Sequence, residues 1–334
     1  MTCVKNAPCY EVERGEVMKK TWYLIIGVVL LVIGCIAYGY HEHHKPKTAQ
    51  ELKTVRVAYL PITHALPVFA TKELETADGP VHVELVKYGS WPELMDALNT
   101  CKVDAAAVLV ELGVKAREQG IDVRAAALGH TEGNIIIVNK DINSVQDLKG
   151  KSFAIPHKQS TQKILVDCML EEAGLSEKDV QIVEMSPPEM PSALSVGQIA
   201  GYSVAEPFGS LALEMGTGKV FEDPDHLWHD NICCALVFNG QFVDEHHDLA
   251  KAFTKAYLDA GTYLDEHPKA QEEISLKYMK FNDPVIERSL KVIGFKDLAL
   301  TEDRYNALVH HMTHIDLIKK VPAYSEFVDQ SLLP

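Results

Sequence analysis

From Val55 onward, short runs rich in β-branched and small apolar residues alternate with stretches whose apolar positions recur every three or four residues. The runs at 55–60, 81–86, 105–110, 123–128 and 134–139 read as strands, and 65–74, 92–99 and 111–119 as helices between the first four. The fourth and fifth strands stand too close for a helix between them. The alternation restarts with a strand at 152–155, a helix at 161–173, a strand at 180–185, a helix at 188–196 and a strand at 202–205. This order predicts an α/β fold of two doubly wound lobes, with βαβ units and parallel sheets covered by helices on both faces. From Asp248 the pattern is helix only. Leu249, Phe253, Ala256, Tyr257, Ala260 and Leu264 form one apolar face, and further helices follow at 269–279, 284–292 and 301–318. This tail is expected to return onto the first lobe.

A weak internal repeat supports two related lobes. A shift of 96 residues lays Ala97-Leu98 on Ala193-Leu194, Val103 on Ile199, Val108 on Val204 and Gly120 on Gly216. Val110 and Glu206 then stand at equivalent strand ends. The lobes are assigned as 55–143 with 240–334, and 144–239, with hinges near 139–144 and 239–243.

One stretch breaks the globular pattern. Residues 21–40 carry no charge and follow Lys19 and Lys20. The apolar heart from Trp22 to Gly34 has the length of a signal-peptide core and is short for a bilayer span of ~20 residues. It ends in Val32-Ile33-Gly34-Cys35, which resembles a bacterial lipobox and implies lipidation of Cys35. Residues 1–34 are therefore read as a signal peptide whose true start is Met18 or Met1, and 35–54 as a tether. The alternative is an uncleaved anchor over 21–40. Either way the bulk of the chain lies outside the cytoplasm, held to the membrane.

Composition narrows the function classes. The 334 residues hold 32 Lys+Arg against 47 Asp+Glu, a formal charge of −15, which disfavours nucleic acid as a partner. Cys101, Cys168, Cys233 and Cys234 have apolar neighbours and read as buried free thiols. No CxxC occurs, so a structural zinc site is not supported, and neither a metal nor a cofactor is expected. His41, His43 and His44 read as solvated tether, and His310, His311 and His314 as a solvated helix face. Gly216-Thr-Gly218-Lys219 lacks the first Gly and the final Ser/Thr of a phosphate loop. No nucleophile with a nearby base stands out, so the chain is not read as an enzyme.

Particular residues carry a resemblance. Val55-Arg-Val-Ala-Tyr-Leu-Pro61 with the helix opening at Ala65, the crossover at 144–153, and Ala193-Leu194…Gly197…Gly201…Val204-Ala-Glu-Pro-Phe208 are its main segments. With Asn231-Ile-Cys-Cys-Ala-Leu-Val237, they resemble the nitrate/sulfonate/taurine-type substrate-binding proteins of ABC importers. Ala200 departs from the Asp usual in that family. The resemblance implies a type II periplasmic binding protein fold, a small anionic or zwitterionic organic solute, and a permease with its ATPase subunit as partners. A thiamin-precursor-like pyrimidine, a sensor role, or an enzyme on the same fold are the alternatives.

In open α/β sheets, ligands sit beyond the carboxyl ends of the strands. The candidates in the first lobe are Thr63, His64, Ser90, Trp91, Val110, Glu111 and His130, and in the second Gln159, Ser160, Thr161 and Glu206. Ser160 and Thr161 open a helix, where backbone N–H groups can hold an anion or Ser160 can simply cap the helix. Glu206 is a hydrogen-bond acceptor for a ligand or a bridge between lobes, and Pro207 reads as the first helical residue. Trp91 offers an aromatic wall. His64 and His130 can hydrogen-bond an anion or serve as structural histidines.

Overall fold

The alternation of apolar runs resolves into two five-stranded sheets. A computed structural model describes residues 22–23, 26–32, 34 and 53–334, in two units divided after Leu52. In the first unit the described residues are helical and the side chains of Trp22, Leu30 and Leu31 are exposed. Met18, Cys35, and the tether histidines His41, His43 and His44 lie outside the described residues. No described helix is long and apolar enough to cross a membrane.

In the second unit, the strands in chain order are β1 (Thr54–Tyr59), β2 (His82–Lys87), β3 (Ala105–Leu109), β4 (Val123–Leu128), β5 (Thr131–Glu132) and β6 (Asn134–Asn139). They continue as β7 (Ser152–Ile155), β8 (Gln181–Glu184), β9 (Gly201–Ala205), β10 (Gly218–Val220), β11 (Cys234–Asn239) and β12 (Ile293–Gly294). The helices that matter below are α1 (Leu66–Glu73), α2 (Trp91–Asn99), α3 (Val110–Glu118), α4 (Thr161–Glu172) and α5 (Phe208–Glu214). After them come α6 (His247–Glu266), α7 (Pro268–Met279) and α8 (Glu302–His314).

The first sheet has the order β2-β1-β3-β11-β4 and the second β10-β6-β9-β7-β8. Both are mixed. β1 runs parallel to β2 and β3, and β7 parallel to β8 and β9, as the alternation predicts. β11, however, runs antiparallel to β3 and β4, and β6 antiparallel to β9 and β10. A purely parallel sheet is thus corrected to a mixed one. The reason is topological: a strand arriving from the other sheet needs no crossover helix and can enter in either direction.

The same logic moves the lobe boundaries. The pattern places 134–139 in the first lobe, but β6 belongs to the second sheet. With no helix after β4, the chain cannot return parallel to its own sheet and leaves through residues 129–133. It comes back through residues 221–233, upstream of the expected 239–243 crossing, because β11 is a first-sheet strand. Gly216-Thr-Gly218-Lys219 feeds the edge strand β10 rather than a helix start.

Helix and strand packing follow composition. β3 and β4 carry Ala105–Ala107 and Ala125–Ala127, and these small residues let covering elements approach closely. On α6, Phe253, Tyr257, Ala260 and Leu264 are fully buried, and Tyr257 Oη donates to the Leu128 carbonyl at 3.1 Å. α7 ties down α1 through Lys277 and Tyr278, which both reach Glu73. The tail thus returns onto the first sheet. The helix expected at 301–318 ends at His314, since Asp316 turns left-handed (φ 55°) and Leu317 N–H closes onto Met312 O at 2.8 Å, and a short helix at Tyr324–Phe327 follows. Cys233 and Cys234 are buried free thiols, but Cys101 is exposed, at a left-handed turn (φ 57°) that leaves its strand-side neighbours inside.

One carboxylate pins the tail to α3. Glu118 pairs with Lys115 and accepts the backbone N–H groups of Lys319 and Lys320 at 2.7 and 2.8 Å. The Lys115 hydrogen bond and these N–H groups lower its pKa from 4.5 to about 2. A depressed carboxylate stabilises the fold above its unfolded value and loses that contribution as pH falls through the folded one. Glu118→Gln is expected to cost about 1 kcal/mol near neutrality, roughly 2–4 °C in a chain of this size, after discounting for solvent screening. Thermal melts from pH 7 to pH 2.5 check it: the gap should narrow below pH 4.5, and an unchanged gap would refute the assignment.

Candidate functional site

The carboxyl ends of β1 and β4 and the amino end of β11 come together in the first sheet. Because β11 is antiparallel, Cys234 pairs with Leu109 at the carboxyl end of β3, and Ala235 with Leu128 at that of β4. The loop after β1 brings His64, the loop after β4 brings His130, and the approach to β11 brings Cys233 and Cys234. Each of these four side chains is at most 1% exposed. His64, His130, Cys233 and Cys234 place one donor atom each within 4.8 Å of the others, the one such group among the described residues.

The geometry inside this cluster is specific. His64 Nδ1 lies 3.6 Å from Cys233 Sγ and 3.5 Å from Cys234 Sγ, and the two sulfurs are 3.8 Å apart. The two imidazoles stack with centroids 3.5 Å apart. His64 Nε2 is 2.9 Å from the Gly133 carbonyl and His130 Nδ1 is 2.6 Å from the Glu132 carbonyl, so each ring donates outward and turns its other nitrogen inward. Burial and the neighbouring His64 lower the pKa of His130 to about 4, which keeps it neutral. At Cys233 burial works against the thiolate, but the Cys234 hydrogen bond, His64 and His130 outweigh it and hold the thiol well below its ordinary value. Burial pushes Cys234 well up.

The second sheet closes over this cluster. Gln162, in the first turn of α4, donates through Nε2 to Cys233 Sγ at 3.3 Å and to Asn134 Oδ1 at 2.7 Å. Asn134 in turn donates to Asn231 Oδ1 at 3.0 Å. Thr161 Oγ1 bonds the Glu111 carboxyl and the Ile232 carbonyl. Glu111 is fully buried, its Oε2 has no partner, and burial raises its pKa well above the ordinary range. Thr63 donates from both N–H and Oγ1 to the Glu206 carbonyl, each at 3.0 Å, and Glu206 N–H donates to Gly133 O at 3.1 Å.

The remaining candidates have plain placements. Ser160 caps α4, its Oγ accepting from Lys163 N–H at 3.1 Å and donating to His157 O at 2.7 Å. The Glu206 carboxyl accepts from Ser210 N–H and Oγ, both at 2.9 Å, and burial raises its pKa. Pro207 follows a cis peptide and precedes α5 instead of opening it. Val110 is buried and donates its N–H to Cys233 O at 2.8 Å. Ser90 and Trp91 face Pro156, His157 and Pro187 across a cavity of about 260 Å³ between the two sheets, and Gln159 lines a neighbouring one. Trp91 Nε1 is buried there without a partner. On the rim, His311 packs on Trp228 and His314 Nε2 reaches Glu171 at 3.1 Å.

The pattern of the sequence therefore finds His64 and His130 but treats them separately, and it misses Cys233, Cys234 and Gln162 as site residues. The adjacent cysteines were the available signal. Their apolar neighbours read as core, and both are buried free thiols as that reading has it.

Comparison with known proteins places this geometry in a family. Residues 48–277 match the NMT1-like family model, and the chain belongs to the NMT1-like family. The ligand-binding component of an ABC-type import system from Staphylococcus aureus, solved with zinc bound, is 35% identical, with 84% of this chain and 97% of that one covered and a TM-score of 0.80. A putative aliphatic sulfonates-binding protein of Bacillus subtilis is 28% identical over 285 residues, 82% of each chain. A nitrate import ATP-binding protein of Synechocystis is 25% identical over 239 residues, and the match spans 36% of that protein's length.

Gly133 sits at the centre of these contacts with φ +82°, and a Cβ there would lie 2.8 Å from Ile293 Cδ1 and 3.1 Å from His64 Nε2. Gly120 has the same φ with nothing within 4 Å. Gly120→Ala should cost about 1 kcal/mol of backbone strain, and Gly133→Ala at least about 1 kcal/mol more, because it also displaces the His64 ring. Denaturant melts of the two variants decide this; equal losses would mean that Gly133 does not set the His64 position.

Proposed function

We propose that the chain is the extracytoplasmic solute-binding component of an ABC importer, tethered by a lipid on Cys35 and delivering its solute to a membrane permease with an ATPase subunit. The observation that carries this reading is the meeting of the two sheets through buried polar pairs at their strand ends: Thr63 with Glu206, Glu111 with Thr161, and Cys233 with Gln162. Such contacts join two halves that must part to admit a ligand and close around it. Two chain segments, 129–133 and 221–233, link the sheets, and they are where a hinge would absorb the movement. Ligand energy then shifts an open–closed equilibrium, with no chemical step required.

The electrostatics of the closure bear on the solute. Glu111 and Glu206 are buried carboxyls, and the buried Lys163 is already paired with Asp167 and Glu177. Among the described buried side chains, no unpaired cation waits for a bare anion. A zwitterion or a cationic solute suits the cleft better than nitrate or a simple sulfonate. The zinc in the Staphylococcus aureus relative supports the cationic reading.

The full chain in detergent, kept reduced, can be melted against nitrate, ethanesulfonate, taurine and zinc chloride. A bound solute at 100 times its Kd should add about 2.7 kcal/mol, several degrees here. We expect one saturable shift, none with nitrate, recovery of the solute unchanged, and co-purification of a permease when the native membrane is solubilised. Conversion of the solute to a product would move the reading to an enzyme on this fold, and the absence of any permease would move it to a sensor.

A further inference from the structure

We infer that His64 Nδ1, His130 Nε2, Cys233 Sγ and Cys234 Sγ form a four-coordinate site for a thiophilic d10 cation such as zinc(II), and that this ion is the solute which closes the two sheets on each other. The second half of this inference rests on the importer reading; the first does not.

Three of the six donor–donor distances match a coordination tetrahedron, and all four donors lie within 4.8 Å of one another. Zinc–sulfur bonds of about 2.3 Å and zinc–nitrogen bonds of about 2.0–2.1 Å give edges of about 3.8 Å between sulfurs and about 3.6 Å between nitrogen and sulfur. The structure has 3.8 Å between Cys233 and Cys234 Sγ, and 3.6 and 3.5 Å from His64 Nδ1 to each of them. A disulfide would need the sulfurs at about 2.0 Å. The cysteines are adjacent in sequence, yet both sulfurs face the same point.

The imidazoles are set for the same task. Metal-bound histidines commonly donate their second ring N–H to a carbonyl, which fixes ring and tautomer. His64 does so to Gly133 O and His130 to Glu132 O, which leaves Nδ1 of one and Nε2 of the other turned inward. His130 Nε2 accepts a long 3.4 Å contact from Cys234 N–H and faces the Cys233 thiol. Stacking two imidazoles against two thiols, all at most 1% exposed, has no apolar rationale. Two thiolates and two neutral imidazoles carry a charge that one divalent cation cancels, so the loaded site is neutral and can be buried. Softness of the donors selects zinc or copper(I) over magnesium or calcium. Four protein ligands leave no open position for a reacting water, so the site holds an ion rather than activating one.

The outer contacts tie the ion to closure. Gln162 comes from the second sheet's α4 and donates to Cys233 Sγ. The carbonyl that orients His64 belongs to Gly133, which also accepts from Glu206 N–H. Opening the hinge would remove Gln162 and disturb Gly133 together, loosening the ligands at once.

The test uses the full chain in detergent, reduced and stripped with a chelator. Zinc is titrated in competition with a chromophoric chelator, and cobalt(II) is added separately as a spectroscopic probe. One zinc per chain is expected, with the intense visible bands and thiolate charge transfer of tetrahedral sulfur-ligated cobalt. Cys233→Ser and Cys234→Ser should each weaken zinc at least 100-fold and lose charge-transfer intensity, whereas His311→Gln on the rim should change neither. Gln162→Ala should weaken zinc about 10-fold while leaving the cobalt spectrum intact. Small-angle scattering should show a smaller radius of gyration with zinc than without. An octahedral cobalt spectrum, or zinc binding that survives Cys233→Ser with Cys234→Ser, would overturn the site. Tight zinc with no change in scattering would overturn the closure role alone. Binding of an organic solute without zinc would overturn the ion's role as solute and leave the importer reading in place.

Discussion

β11 leaves the second sheet and enters the first between β3 and β4, antiparallel to both, so its first residue lies beside the last residues of its neighbours. Ligand positions in an open sheet lie beyond the carboxyl ends of parallel strands. An antiparallel strand inserted among them brings its amino end, and the residues just before it, to the same edge. Cys233 and Cys234 reach the site by this route alone. All six residues of β11 are buried, so a one-residue slip would force Leu236 and Phe238 into the packing space of Ala235 and Val237 on the opposite face. Register and chemistry are therefore locked together.

Around that strand, the two sheets are joined by contacts that are individually small. A hydrogen bond between neutral groups contributes about 0.5–1.5 kcal/mol net. Moving a two-state equilibrium from 1:99 to 99:1 takes about 5.5 kcal/mol. In the proposed importer, the contacts of Thr63, Thr161 and Gln162 would be of the right number and size to hold closure near balance rather than to fix it. Glu111 adds a buried carboxyl with one oxygen unpartnered, which burial keeps protonated and so less costly than a buried charge.

Much of this architecture is legible in the amino-acid order. The strands at 123–128, 134–139 and 152–155 are readable to the residue, because short apolar runs bounded by Gly, Asn or Ser leave little freedom. The family resemblance was carried by other segments, chiefly 55–61, 144–153, 193–208 and 231–237, and the family is the one the chain belongs to. Strand direction was not legible. Nothing in Cys-Ala-Leu-Val-Phe-Asn says which way it will run or in which sheet. The crossover at 129–133 was missed for the same reason: Asn134-Ile-Ile-Ile-Val138 fits either sheet until its partner is known. Likewise, two histidines 66 positions apart and a cysteine pair about a hundred further on share no local pattern. Their convergence is a property of topology, and an apolar setting around cysteines suits a ligand pair as well as it suits packing.

If the four donors do hold the solute, as proposed, the closed centre poses a release problem for an importer subunit that must give its solute away. Structural zinc sites of this ligand type hold their ion with about 10–16 kcal/mol, more than a hinge needs. The excess would trap the ion unless opening weakened the centre itself. The proposed centre would supply that weakening, because the partners that orient its ligands lie on the second lobe or in the segment between the lobes. Outer contacts of this kind change metal affinity by about 10–100-fold each. Gln162 sits on α4 of the second sheet, and Gly133 sits in the segment that passes between the sheets. Two of the ligands, His130 and Cys233, also lie in the segments 129–133 and 221–233 that link the sheets. A permease that pulls the lobes apart would therefore act on the ion both through its outer contacts and through the ligands carried by the hinge, so that capture and release would differ by the position of one lobe.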